Sequence, residues 1–282
     1  MCRRRIATVA LVCAGAFAAA VPARGAQTIG QVAPAPQPPS TGCPPNSDYL
    51  QPSVTGGQLY VARQAGTITS WTTNVSLGGA QSYTLKVFRR TSDPDAFQVV
   101  GEDIPHTLGP GLNTFAVDLR VESGDLLGFH VAGGAQNSCA FAIPGDGVLR
   151  TPGDLAIGQS GHFAAIPNVR LNLTAVLVPS NAFTVTGVTR NRRSGTARLT
   201  TALSNPGVAT IGGKGVTSRR ATTAVARSVT LKVATAGKRR RKLDRTGSVK
   251  VPVTVTFQPT GGDPSSQIVP VKLKMRRNPP AA

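Results

Sequence analysis

Apolar and polar residues alternate with a period of two in several segments, which is typical of strands that cover a core with one face. In Ser248–Phe257 every second residue is Val or Phe, and Lys, Pro and Thr fill most of the other positions. Tyr83–Arg89 alternates in the same way. Pro252 lacks an N–H, which predicts that its strand lies at an edge or is bulged there. Sustained helical periodicity is absent after the N-terminal segment, so the pattern predicts an all-β protein.

The strand signals fall into two groups, and each group is long enough for one β-sandwich. Residues 43–178 contain about eight short strands separated by turns, which favours a jelly-roll-like sandwich. Residues 179–282 contain roughly seven, and this length is typical of an Ig-like sandwich. Residues 24–42 are rich in Pro, Ala and Gln and are predicted to form a flexible linker that buries no core.

The N-terminus has the pattern of a secretory signal peptide. Met1–Arg5 is basic, Ile6–Val21 is apolar without a charge, and small residues at Val21 and Ala23 suit cleavage by a signal peptidase. The apolar run is shorter than the roughly 20 residues that span a bilayer, although a retained membrane anchor is the alternative. Residues 1–23 are therefore predicted to be removed. The mature chain is expected to be secreted, without a transmembrane segment, and either free or associated with the cell surface.

The cysteines agree with an extracellular location. Cys2 and Cys13 belong to the predicted signal peptide, so Cys43 and Cys139 are the two that remain. Two thiols in an oxidising compartment usually pair, which predicts a Cys43–Cys139 disulfide, with two buried free thiols as the alternative.

The positive charge is confined to one half of the chain. Residues 43–178 have 7 Lys and Arg against 10 Asp and Glu, whereas residues 179–282 have 20 against 2. Folding gains nothing from such self-repulsion, which indicates a polyanionic partner; a solvated basic face is the alternative. The densest basic group is predicted to lie on a loop or a single helical turn, with all its cations able to face one ligand. Its members are Lys238, Arg239, Arg240, Arg241, Lys242 and Arg245.

The expected partner is an anionic cell-wall or surface polymer, with lipid headgroups and extracellular DNA as alternatives that fit the same charge. The secretion signal argues against intracellular nucleic acid, and Phe183 and Phe257 do not give the basic half an aromatic stacking platform. Loops gather at the two ends of a sandwich, so smaller basic groups could converge with the main one. These smaller groups are Arg190, Arg192 and Arg193 in one loop, and Arg219 and Arg220 in another.

No catalytic residue, metal site or cofactor is predicted. His106, His130 and His162 all lie in the first half, and the residues around Ser160 do not meet the G-x-S-x-G pattern of a nucleophile elbow. The carboxylates mostly occupy turns, where Asp serves turn geometry alone. A calcium ion near Asp146 or Asp154 is conceivable, but the D-x-D-x-D-G spacing is absent.

Carbohydrate is a second candidate ligand, for the first half of the chain. Sugar binding needs exposed aromatic faces, and the candidates are Tyr49, Tyr60, Trp71 and Tyr83, of which Trp71 and Tyr60 are the predicted ligand-binding residues. A lone Trp in a small sandwich lies more often in the core, so both alternatives stay open at this point.

Several short motifs resemble uncharacterised secreted two-domain β-proteins of high-GC Gram-positive bacteria. In the second half these are Thr189–Ala197, Gly213–Val216, Lys242–Gly247 and Gln258–Pro264. In the first half they are Gly66–Trp71 and Gly124–His130. The resemblance implies a lectin-like or jelly-roll sandwich followed by a basic Ig-like domain, and it implies no activity.

Together these features predict a non-catalytic extracellular binding or structural protein. Its basic C-terminal domain would associate with an anionic surface polymer. The alternative is a secreted polysaccharide-acting hydrolase that uses the basic domain for targeting. That alternative requires two carboxylates in an open groove of the first domain.

Overall fold

The computed structural model describes residues 25–38, 43–57, 59–76, 81–133 and 137–276. The predicted signal peptide lies outside this part of the chain. Within it, the protein is all-β, with antiparallel pairing between the strands and one helix. No helix among the described residues has the length and apolar character needed to cross a membrane. The elements are β1 Gln27–Gln31, β2 Ser47–Ser53, β3 Gly66–Val75, β4 Gln81–Arg90, β5 Ala96–Glu102, β6 His106–Leu108, β7 Gly111–Val121, β8 Leu126–Val131, β9 Ala140–Pro152, β10 Ser160–His162, β11 Ala164–Leu171, β12 Leu173–Pro179, β13 Phe183–Asn191, β14 Thr196–Leu203, β15 Gly207–Gly212, β16 Arg219–Thr223, β17 Ser228–Val233, α1 Gly237–Thr246, β18 Ser248–Pro259 and β19 Ser265–Lys274.

The first sandwich encloses its core between two sheets. The smaller sheet has the order β1-β12-β3-β7, and the larger has the order β10-β5-β4-β8-β2-β9-β11, with β6 paired to β4. Trp71 and Leu177 enter the core from the smaller sheet, and Tyr83, Leu85 and Phe129 enter it from the larger. The disulfide between Cys43 and Cys139 is present in this core, as the sequence predicts.

The second sandwich has a three-stranded sheet, β13-β14-β17, and a four-stranded sheet, β16-β15-β18-β19. Leu199 and Leu231 of the first sheet face Val253, Val255 and Phe257 of the second across a separate core. The apolar side of the Ser248–Phe257 alternation is buried, as predicted. The all-β, double-sandwich fold class is thus confirmed, whereas the finer jelly-roll-like and Ig-like assignments stay predictions.

The prediction of a flexible linker over residues 24–42 is wrong for the part that the structure describes. Gln27–Gln31 pairs along its full length with β12 and forms the edge of the smaller sheet. Ile29 and Ala33 are buried, and the backbone N–H of Ala33 donates to Oδ1 of Asn172. The composition of this segment is rich in Pro and Ala and does not predict a strand. The segment nevertheless contains β1, whose Ile29 faces inward, and β1 covers the edge of β12.

The two sandwiches meet at a polar junction. Residues 180–182 join β12 to β13, and Asn205 is buried against this connection. Its Oδ1 accepts from the N–H of Ala65 at 2.9 Å, and its Nδ2 donates to the carbonyls of Ala65 and Ser180 at 2.8 and 2.7 Å. Nε2 of Gln64 donates to the carbonyl of Thr260 at 2.9 Å, which adds a second link. The second sandwich therefore directs its other end away from the first.

Candidate anion-binding site

The densest basic segment forms a helix of 10 residues, α1, where the sequence predicts a loop or a single turn. Leu243 is fully buried and anchors the helix on the core. Gly247 ends it in the left-handed conformation, φ 70°, and donates its N–H to the carbonyl of Leu243 at 2.8 Å. The first turn has three cations and no acid, an arrangement that the helix dipole disfavours by about 0.3–1 kcal/mol per charge.

The helix brings together four of the six predicted anion-binding residues rather than all six. Positions three and four apart share a helix face. Arg240 lies off this face and pairs with Asp244, Nε to Oδ1, at 3.0 Å. Arg239 packs its stem against Gly215 and directs Nη1 toward the carbonyl of Lys250 at 3.4 Å. The residues on the shared face are Lys238, Arg241, Lys242 and Arg245.

A second basic feature, the cationic cleft, lies beside the β13–β14 hairpin and has a volume of about 670 Å³. Arg198 and Lys232 form part of its floor and are exposed on neighbouring strands. Six cations and no carboxylate line the cleft. The lining residues are Thr189, Arg190, Asn191, Arg192, Arg193, Ser194, Thr196, Arg198, Lys232 and Arg276.

The rim of the cleft is held by hydrogen bonds of the hairpin itself. Oδ1 of Asn191 accepts from the backbone N–H groups of Arg193 at 3.0 Å and Ser194 at 3.2 Å. The carbonyl of Arg192 accepts from the N–H of Arg276 at 2.8 Å, which joins the hairpin to the end of the chain after β19. Nε of Arg190 donates to the backbone carbonyl of Lys272, on β19, at 2.8 Å. These bonds fix the backbone that carries the cations.

The cleft and α1 lie at the same end of the second sandwich, opposite the junction with the first. Gly195, at the turn of the hairpin, lies directly against the side chains of Leu243 and Met275. The N–H of Met275 donates to the carbonyl of Gly247, at the C-terminal end of the helix. We call this end the basic pole, defined by the cleft and the shared face of α1. Arg219 and Arg220 lie on β16 of the other sheet and do not line the cleft.

Neither aromatic residue predicted to bind a ligand has an accessible ring. Trp71 is 0% exposed, and its Nε1 donates to Oδ2 of Asp103 at 2.8 Å. Tyr60 is 1% exposed, and its hydroxyl donates to the carbonyls of Gln31 and Leu171. Burial raises the pKa of Tyr60, so it stays protonated as a donor. Both rings belong to the core, and the prediction of a sugar-stacking surface at these positions is wrong.

A buried ionic cluster lies on the outer face of the larger sheet. Nζ of Lys86 contacts carboxylates of Asp48, at 3.1 Å, and Asp154, and donates to the carbonyl of Leu155 at 2.7 Å. Nδ1 of His130 lies 2.9 Å from Oδ1 of Asp48. Ligand atoms of Asp48, His130 and Asp154 lie within 4.8 Å of one another, a spacing that suits a metal ion. The ammonium of Lys86 contacts the same carboxylates of Asp48 and Asp154, so it already supplies the positive charge that a metal ion would bring to them.

The other groups with candidate chemistry are engaged in packing or ion pairs. Nε2 of His106 lies 3.0 Å from Oδ2 of Asp103, and its ring stacks on Phe115 with the centroids 4.0 Å apart. His162 is exposed and lies 3.8 Å from Asp93. Each of these two His residues therefore has a carboxylate beside it, and in each case we interpret the carboxylate as a structural partner of the His.

A cleft of about 780 Å³ at the junction of the sandwiches contains the carboxylates of Glu122 and Asp263. The hydrolase hypothesis requires two carboxylates in a groove of the first domain, whereas Asp263 belongs to the second sandwich. Nη1 of Arg89 lies 3.1 Å from Glu122, and Nε of Arg89 also binds Asp125, so one of the two carboxylates is neutralised by a fixed cation.

Comparison of the chain with protein-family models and with curated proteins gives no match.

Proposed function

We propose that this is a non-catalytic extracellular binding protein that associates with an anionic surface polymer through its basic pole. The first sandwich and the polar junction hold the second sandwich so that the pole points outward. The disulfide and the secretion pattern of the sequence are compatible with an extracellular location. With Trp71 and Tyr60 in the core, carbohydrate stacking is not part of the proposal.

The observation that carries the proposal is the cationic cleft, which six basic residues and no carboxylate line. Like charges directly opposite one another on neighbouring strands destabilise a sheet, so folding gains nothing from such a pair. Here Arg198 and Lys232 are direct neighbours, and the hairpin adds three further arginines to the lining of the cleft. A bound polyanion neutralises this repulsion and releases counterions, which gives a favourable free energy of binding.

The test uses the purified mature chain and isolated cell walls in a pelleting assay over a range of salt concentrations. We expect binding at low salt that falls steeply toward 1 M, where the Debye length is about 3 Å. Binding that persists unweakened at 1 M salt contradicts a charge-based function.

Matched variants locate the site. The double variant Arg198→Gln/Lys232→Gln removes two charges from the cleft and should weaken binding at low salt by about tenfold or more. Arg227→Gln is the control, since Arg227 is exposed at the end of β17 that faces the junction. An equal loss per removed charge in the variant and the control means that net charge alone, and not the basic pole, attracts the polymer.

A further inference from the structure

We infer that the cationic cleft binds the phosphodiester groups of a single-chain polymer without nucleobases, such as a polyol phosphate. This inference rests on the proposed function and names the chemistry of its ligand. It also separates the two parts of the basic pole: the cleft recognises phosphate, and the exposed face of α1 supplies attraction at longer range.

The first step is the kind of cation in the cleft. Five of the six are Arg, and Lys232 is the sixth. A guanidinium presents a planar fork of N–H donors that matches two oxygens of one phosphate, whereas an ammonium acts as a point charge. Arginines that converge on one depression therefore favour phosphate over a polymer that needs only charge neutralisation.

The second step is that hydrogen-bond donors of the cationic cleft are already held in position by other protein groups before a ligand binds. The Nε–H of Arg190 is bound to the carbonyl of Lys272, which limits the rotamers of this side chain and leaves its Nη groups for a ligand. The hydroxyls of Ser194 and Thr196 bond to each other at 2.8 Å in the lining of the cleft, and either can turn a proton toward an anionic oxygen. Neutral hydroxyls beside arginines suit phosphodiesters, which have one charge and two free oxygens.

The third step is the size and the lining of the cleft. Its volume of about 670 Å³ lies within the roughly 300–1,000 Å³ of ordinary ligand pockets, which admits a few units of a single chain but not a duplex. No aromatic side chain lines it. Phe257 is fully buried, and Phe183 packs edge-on against it, with the ring centroids 6.4 Å apart. Bases would therefore find no aromatic ring to stack on, and single-stranded nucleic acid loses the affinity of about 1–3 kcal/mol per base that aromatic stacking adds.

The experiment compares four polymers of matched length at about 0.15 M salt, where exposed charges are largely screened beyond roughly 8 Å. The probes are poly(glycerol phosphate), heparin, poly(glutamate) and a single-stranded oligonucleotide, each titrated into the mature chain. We expect poly(glycerol phosphate) to bind most tightly, by about tenfold over the carboxylate polymer. Free glycerol phosphate in excess should compete with it.

A charge-conserving variant isolates the guanidinium contribution. Arg190→Lys/Arg198→Lys keeps the net charge, so heparin binding should stay within about twofold while poly(glycerol phosphate) binding falls by about tenfold. Arg227→Lys, at the end of β17 that faces the junction, is the control and should change neither.

The outcomes separate the inference from the proposed function. Equal affinity for all the polyanions, or unchanged phosphate binding in the double variant, overturns the phosphate site and leaves polyanion binding intact. A preference for the oligonucleotide also overturns it. No binding to any of the four at low salt overturns the proposed function itself.

Discussion

Arg198 on β14 lies directly opposite Lys232 on β17 in the antiparallel register of the three-stranded sheet. Both side chains are exposed, and the third strand places Thr189 rather than an acid on the other side of Arg198. Like charges directly opposite one another destabilise a sheet. The pairing is therefore unfavourable for folding and favourable for binding an anion, and the two effects can be measured separately.

The first prediction is that removing this repulsion stabilises the protein and weakens its binding. Arg198→Thr replaces a cation with a residue of high strand propensity, and should raise the free energy of unfolding by about 0.2–1 kcal/mol at low salt. The gain should shrink as salt screens the pair. Urea denaturation followed by circular dichroism at two salt concentrations measures both effects.

Arg227→Thr is the control for this variant and should show a smaller salt-dependent gain, because it lies away from the basic pole. A loss of stability in Arg198→Thr at low salt contradicts the prediction. If Arg198→Thr keeps the polymer affinity of the native chain, the Arg198–Lys232 pair is not part of the binding surface.

The strands could be predicted from the sequence because their signal is local. In Ser248–Phe257 the side that the alternation makes apolar is the side that the core covers. Pro252 also behaves as its missing N–H predicts: β15 pairs with β18 only from Thr254 onward, so at Pro252 the strand has a partner on one side only. Local periodicity predicts the first feature, and the missing N–H of Pro252 predicts the second, so neither prediction needs to know which distant strand is the partner.

The cleft could not be predicted, since it depends on pairings between distant parts of the chain. Arg198 and Lys232 come together only because β17 joins β14, and Arg276 reaches the hairpin through a backbone hydrogen bond to Arg192. The sequence does not predict the full length of α1, because Leu243 is the single buried residue of this helix. One apolar position gives no period of 3.6. The burial of Trp71 likewise depends on which sheet covers its strand.

The second prediction concerns the buried ammonium of the first sandwich. Lys86→Met should lower the free energy of unfolding by about 3–5 kcal/mol, because it leaves the fully buried carboxylate of Asp48 without its cation. Urea denaturation followed by the fluorescence of Trp71, the single Trp of the chain, reports on this sandwich directly.

The double variant Lys86→Met/Asp48→Asn removes both charges and should recover part of the loss. Lys274→Met, at an exposed position of the second sandwich, should leave the Trp71 transition unchanged. If Lys86→Met lowers the free energy of unfolding by no more than Lys274→Met does, the ion pair contributes nothing to stability and the prediction is contradicted.

The third prediction is a pH dependence that comes from Asp146. Burial by itself raises the pKa of this carboxyl, but hydrogen bonds from Arg170 and Thr55 outweigh it and hold the pKa below its usual range. A carboxyl whose pKa is lower in the folded state adds stability above the unfolded value of about 3.9, and this stability is lost as the pH falls through the folded value.

Asp146→Asn should therefore be less stable than the native chain at neutral pH, by about 1–3 kcal/mol. The difference should narrow below about pH 4, where the native carboxylate takes up its proton. Thermal denaturation of both proteins from neutral to acid pH measures it, with the exposed Asp263→Asn as the control. A difference that stays constant with pH would mean that the carboxylate charge of Asp146 is not what stabilises the fold.

The fourth prediction is that Asn205 couples the two sandwiches. Its side chain makes three hydrogen bonds to backbone groups of Ala65 and Ser180, and all of them are lost in Asn205→Ala. The carbonyls of Ala65 and Ser180 keep bonds from the N–H of Ser180 and the hydroxyl of Ser204, but the N–H of Ala65 loses its partner. A buried backbone N–H without a partner costs about 1–3 kcal/mol, so the variant should unfold more easily, and the amide of Ala65 should exchange its hydrogen faster. Asn205→Asp keeps the acceptor for that amide but lacks the donor, so it should protect Ala65 better than Asn205→Ala does while still losing stability. If Ala65 exchanges at the native rate in Asn205→Ala, the junction is held by other contacts and the outward direction of the basic pole does not depend on Asn205.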